Sequence, residues 1–231
     1  MRSVLVVVLA FLVGVANAAD LRRMTLSNGV IIEYALALPD GYRGEATYPA
    51  ILAFPGGRQT LASVDAALSR YWEREAVQRG YIVVSPAAPP GLPFYEAGAE
   101  LIPEFLERQL ALLGIEGGKF HVAGASNGAV SAFIAATRYP QLFHTVTALA
   151  GFPEREEDFA RLDRLDMIKI VMFVGMSDDY WRAGMEKTRD RLRVLGQSVC
   201  YEALPRNGHL LPDLSFEKSG RIFQRMTQLR C

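Results

Sequence analysis

Lys119–Pro140, KFHVAGASNGAVSAFIAATRYP, is the stretch whose reading decides the fold. Phe120 to Ala123 is a short apolar strand. Gly124-Ala125-Ser126-Asn127-Gly128 is a turn of small residues, and an apolar, alanine-rich helix follows. The pattern G-x-S-x-G between a strand and a helix is the context in which it marks a nucleophile elbow. Glycines at both ends remove side chains where strand and helix backbones approach each other. Ser126 would then present its hydroxyl above the sheet edge. The Asn127 amide, at the helix N-terminus, would face a developing negative charge. Small residues also start ordinary helices, so the rest of the chain has to decide between the two readings.

Working outward, apolar runs alternate with helical spacing on both sides of this stretch. Upstream, Leu21 to Leu38 holds two strand-like runs around Ser27-Asn28-Gly29, a hairpin signal. Ala50 to Phe54 is a continuous apolar strand of the buried kind, ending in Pro55-Gly56-Gly57-Arg58. Ser63 to Arg79 has helical spacing, with Leu68, Trp72 and Ala76 on one face and Gly80 as its stop. Tyr81 to Ser85 is strand, and a Pro/Gly-rich loop leads to a helix over about Glu100 to Leu113. Downstream, the spacing predicts strands at 146–151, 168–174 and 198–203. Helices are expected over 181–195 and about 216–229. Such alternation means an α/β fold: a mostly parallel sheet with helices on both faces and an antiparallel N-terminal edge. With 231 residues and no linker or repeat, residues 19–231 read as one domain.

Composition narrows the partners and the compartment. Lys+Arg and Asp+Glu number 25 each, which gives no electrostatic reason to expect nucleic acid or an anionic membrane surface. Met1-Arg2, an apolar run from Val4 to Val15 and Ala16-Asn17-Ala18 have the layout of a secretory signal peptide with an A-x-A cleavage site. Residues 1–18 are therefore expected to be removed and the protein exported, to the periplasm or the medium, with no stable membrane association afterwards. Cys200 and Cys231, an even pair in an exported chain, suggest a disulfide that pins the last helix. Two distant cysteines and three scattered histidines have no metal-ligand spacing, so neither a metal nor another cofactor is expected.

Ligands of open parallel sheets sit at the C-terminal ends of the strands. Four loops fall at such ends: Gly56-Gly57, Ser126, Gly175-Met176-Ser177-Asp178-Asp179 and Asn207-Gly208-His209. Serine alone is a poor nucleophile, so a histidine must take its proton and a carboxylate must hold the imidazole. His209 is the only histidine after the acidic loop; His121 and His144 precede any candidate acid and read as structural. Asp178 and Asp179 are both candidates for the acid, and only one of two neighbours in an extended loop should face His209. Tyr180 and Trp181, directly after the acid, are candidate substrate-pocket residues.

With these residues in place, the chain resembles the α/β-hydrolase superfamily. Within it, the chain looks like the secreted esterases related to polyhydroxybutyrate depolymerases and feruloyl esterases. The resemblance rests on LPDGY with ILAFPGG, GASNG with RYPQLF, VGMSDD and NGH, and it spans nearly all of residues 19–231. It implies a Ser126, Asp178, His209 triad, because the acid in such enzymes commonly stands three residues after a strand-ending glycine, here Gly175. It also implies oxyanion amides from Gly57 (or Arg58) together with Asn127. These esterases often have His-Gly where this chain has Phe54-Pro55-Gly56-Gly57. The segment between Gly151 and Met167 is too short for a large lid. The implied activity is a serine carboxylesterase acting on a small or oligomeric ester. A peptidase or thioesterase uses the same triad on the same fold, and an exported binding protein could keep the fold without the chemistry.

Overall fold

A computed structural model describes residues 19–228. The signal-peptide reading of residues 1–18 and the partner proposed for Cys200, Cys231, lie outside the described residues. One eight-stranded sheet organises the chain. Its strands are β1 (Asp20–Thr25), β2 (Ile31–Ala37), β3 (Ala50–Phe54), β4 (Ile82–Pro86), β5 (Phe120–Ala125), β6 (Phe143–Leu149), β7 (Lys169–Gly175) and β8 (Val199–Leu204). Their order is β1-β2-β4-β3-β5-β6-β7-β8. β1 and β2 form the antiparallel edge, with Gly29 turning the hairpin at φ +82°, and β2 joins β4 antiparallel. The other neighbours all pair parallel.

Alternation along each strand sends side chains to two cores. On β3, Ala50, Leu52 and Phe54 face one core, while Ile51 and Ala53 face the other. On β7, Ile170, Met172 and Val174 divide from Val171 and Phe173 in the same way. The first core is covered by α3 (Ile102–Leu112), α4 (Asn127–Arg138) and α6 (Asp179–Val194). The second is covered by α1 (Leu61–Ala67), α2 (Glu73–Gln78) and α7 (Gly220–Thr227). Such a sheet, dry on both sides, explains why its strands read as unbroken apolar runs.

Three elements depart from the sequence expectation. The helix expected over 63–79 starts at Leu61, where the Thr60 side chain accepts from the Ser63 amide, and a π-helical turn, Leu68–Trp72, separates α1 from α2. Leu68, Trp72 and Ala76 are buried as the spacing requires, so periodicity found the core face but not the extra residue in the turn. The last helix is shorter than expected. A 3-10 turn at Phe216–Lys218 precedes α7, because Phe216 takes φ +56° and cannot continue a right-handed helix. β6 begins at Phe143 rather than Val146 and so includes His144. Between Gly151 and Met167 lie only α5 (Glu156–Ala160) and a 3-10 turn, not a lid. Among the described residues no helix is long and apolar enough to cross a membrane.

Candidate active site

The site is built where β3, β5, β7 and β8 end. β5 runs directly into α4 through Ser126, which sits at φ +55°, ψ −126°, outside the regions a non-glycine residue ordinarily occupies. A backbone of this kind costs on the order of 1–3 kcal/mol and persists only when its surroundings fix it. Here the Ser126 amide donates to the Leu149 carbonyl at 2.8 Å, and its carbonyl accepts from the Ala129 and Val130 amides. Two glycines make room. A Cβ on Gly124 would lie 2.2 Å from the Gly128 carbonyl, and one on Gly128 would lie 2.2 Å from the Phe54 carbonyl. Strand and helix therefore touch backbone to backbone on both sides of the serine.

His209 Nε2 lies 2.9 Å from Ser126 Oγ, and His209 Nδ1 lies 2.7 Å from Asp178 Oδ2. A carboxylate only accepts, so Nδ1 carries the proton toward Asp178 and Nε2 accepts from the serine hydroxyl. Asp178 is well screened, with 14% of its side chain exposed against 37% for His209. Asp179, its neighbour, instead opens α6, 86% exposed, and pairs with Arg182 at 2.8 Å. The choice between the two aspartates thus falls on Asp178. The His209 loop is held at several points. Asn207 donates its side-chain amide to Pro205 O and Asp213 Oδ2, and the Asp213 amide returns a bond to Asn207. The same bond from Asn207 holds the Asp213 carboxyl below its usual range.

At the end of β3, Gly56 packs so closely on the elbow that its Cβ would lie 3.0 Å from the Ala125 carbonyl. Among the described residues, the amides of Gly57, Arg58 and Asn127 donate to no protein acceptor, which leaves all three available to an oxyanion. The Asn127 side chain donates to Gly57 O at 3.0 Å and ties the glycine loop to the elbow helix. Gln59 braces the loop from behind. It is fully buried, donates to Ser131 Oγ and Pro55 O, and accepts from the Phe94 amide. The sequence reading missed Gln59, since a glutamine after P-G-G-R carries no signal that it will be buried.

A cavity of ≈ 370 Å³ opens onto Ser126 and His209. Gly56 and Gly57 form part of its wall, and the rest comes from Ser63, Ala66, Ala67, Arg70, Tyr71 and Leu210. None of these six was singled out from sequence, although the helical residues among them share 3–4 spacing, the signature of one helix face. The two expected pocket residues lie elsewhere. Trp181 stacks on the imidazole of His209, ring centroids 5.5 Å apart and tilted 31°. Tyr180 is 62% exposed and donates to Glu154. Both pack on Phe152, and neither lines the cavity. The structure brings Ser126, Asp178, His209, Gly57 and Asn127 together, and it places Trp181 against the histidine rather than in the cavity.

The fold is that of an α/β-hydrolase, and the constellation is that of a serine hydrolase. Residues 96–196, which span the elbow and the Asp178 loop, match the Esterase family profile. Among solved structures, the fold is similar to a thermostable esterase (TM-score 0.70, 16% identity), covering 91% of this chain and 60% of that one. It is also similar to an S-formylglutathione hydrolase from Agrobacterium tumefaciens (TM-score 0.71, 13% identity), covering 91% of this chain and 95% of that one. A ferulic acid esterase aligns with TM-score 0.63 and 16% identity over 83% of this chain and 90% of its own. A search of curated proteins finds no match.

Proposed function

We propose that this protein is an exported serine carboxylesterase. The observation that carries the reading is the continuous hydrogen-bonded relay from Asp178 through His209 to Ser126, on strand ends that also present free amides. The match to the Esterase profile supports esters as the substrate class. Ser126 Oγ attacks the ester carbonyl as its proton passes to His209 Nε2. The carbonyl oxygen takes up the negative charge beside the amides of Gly57, or Arg58, and Asn127. The tetrahedral intermediate collapses with loss of the alcohol, which takes the proton from His209 and leaves an acyl-serine. Water then adds to the acyl group, again giving a proton to His209, and the acid departs as the Ser126 hydroxyl is restored. Asp178 holds the imidazole tautomer and offsets the imidazolium charge.

Export rests on the N-terminal sequence, and with it goes a Cys200–Cys231 disulfide; β8 buries Cys200 in the second core. Kinetics on matched ester, thioester and peptide substrates test the activity. The expected result is ester hydrolysis that requires Ser126, with thioester cleavage weaker and peptide cleavage absent. Peptide cleavage as the dominant activity would transfer the triad to the peptidase reading.

A further inference from the structure

The cavity beside Ser126 carries a charge that the hydrolytic chemistry does not use. Its helical wall is graded. Ser63 stands beside Gly57, Ala66 and Ala67 present only methyl groups, and Arg70 and Tyr71 follow further along the same helical run. Ser63 to Arg70 is seven residues, so the Arg70 backbone lies roughly 10 Å along the helix from that of Ser63. Among the described residues, Arg70 is the only permanently charged residue on this wall, and no carboxylate lines the cavity. Among the described residues it makes no ion pair. Its guanidinium instead lies 5.2 Å over the ring of Phe216, a contact that fixes the group without neutralising it.

The π-helical turn supplies the placement. Arg70 and Tyr71 lie inside Leu68–Trp72, and Tyr71 is fixed there by donating its hydroxyl to the Leu210 carbonyl, next to His209. Single π turns inside α-helices are frequent at functional sites because the added residue re-aims its neighbours. A fixed guanidinium in a cavity whose described lining holds no carboxylate matches a carboxylate ligand, which it can bind with two parallel hydrogen bonds.

We infer that the favoured substrates are esters bearing a carboxylate several atoms from the scissile carbonyl, and that Arg70 binds that carboxylate. This rests on the esterase reading above and names the substrate class of the same site. The reaction stays ordinary hydrolysis: ester and water give an alcohol and an acid, with the distant carboxylate unchanged. Ala66 and Ala67 leave room for the methylene spacer between the two groups.

The test compares mono-4-nitrophenyl glutarate with 4-nitrophenyl valerate, acyl groups of equal carbon number, one ending in a carboxylate and one in a methyl group. The enzyme-free release of nitrophenolate, which the glutarate carboxylate itself promotes through the cyclic anhydride, is subtracted first. Wild type should have the higher kcat/KM on the glutarate, by about tenfold or more, mainly through KM. Arg70→Gln should collapse the glutarate-to-valerate ratio, Arg70→Lys should restore part of it, and raised salt should lower it in wild type. Valerate hydrolysis that requires Ser126, with no preference for the glutarate or with a preference that survives Arg70→Gln, overturns this inference and leaves the esterase reading standing. Hydrolysis of neither ester by folded protein overturns both.

Discussion

The elbow, β5 with α4, and the helical wall over residues 61–78 meet at the same serine, yet they are built on opposite principles. The elbow is a backbone device. Its geometry is set by what is missing, the side chains of Gly124 and Gly128, and ten consecutive residues of α4 from Gly128 to Thr137 are buried. The wall is a side-chain device whose cavity face carries small residues, one arginine and one tyrosine, with a third of its residues exposed to solvent. In the proposed reaction the elbow fixes where the ester bond is broken, and the wall fixes which molecules reach it. Substitutions in the first should therefore abolish rate or folding, and those in the second should redistribute rate among substrates, except at Tyr71, which also holds the His209 loop.

The largest effect is expected at the acid. Asp178→Asn should lower kcat by about 10³- to 10⁴-fold, because the histidine then loses its fixed tautomer. Asp179→Asn, one residue along and exposed, should change kcat less than about twofold; comparable losses in both would mean that the acid is not singular. Next comes the elbow backbone. Gly128→Ala places a Cβ against carbonyl oxygens of Phe54 and Pro55 that cannot swing aside, so it should cost about 3 kcal/mol of stability. Gly208→Ala, beside His209 but with nothing within 4 Å of its Cβ, should cost under about 0.5 kcal/mol. Denaturant unfolding of the two variants decides it, and equal losses would break the contrast between the regions.

This asymmetry also explains what was legible in the sequence. The alternation of strands and helices, the elbow and the order Ser126, Asp178, His209 were all readable, because each is a local pattern of residue types. Gln59 and the wall residues were not. Ser63, Ala66 and Arg70 have the composition of a solvated helix face, and only the tertiary crossing of the helix over the elbow makes them a cavity wall. The π turn left no trace either, since the buried Leu68, Trp72 and Ala76 fit an uninterrupted helix equally well. Tyr180 and Trp181 were sought in the pocket because they follow the acid. At the start of a helix, neighbours in sequence diverge in direction, and Trp181 went to the histidine while Tyr180 went to solvent.

Two further effects sharpen the comparison. His121, on β5 beneath the elbow, bonds Thr145 Oγ1, and burial, with lesser contributions from His144 and Lys169, pushes its pKa down to about 4. Its depressed value means that the unfolded chain takes up a proton first as pH falls below about 6.5. Stability is therefore full above that pH and is lost progressively down to about 4, by about 3 kcal/mol in total. His121→Gln should remove this part of the pH dependence in urea melts; an unchanged slope would assign the acid sensitivity elsewhere. On the wall, Tyr71→Phe deletes the bond to Leu210 O and loosens the His209 loop, which should lower kcat about tenfold while costing about 1 kcal/mol of stability. If stability falls by that amount and kcat does not change, Tyr71 is a packing residue and the His209 loop does not depend on it.

The central claim is that Ser126 is an activated nucleophile, and covalent labelling tests it most directly. Purified protein is treated with a fluorophosphonate and the adduct is mapped by mass spectrometry, with Ser126→Ala and His209→Ala alongside. A single adduct on Ser126 that disappears in both variants is the expected result. Folded wild-type protein that takes no label, or takes it at another residue, would contradict the triad and with it the esterase.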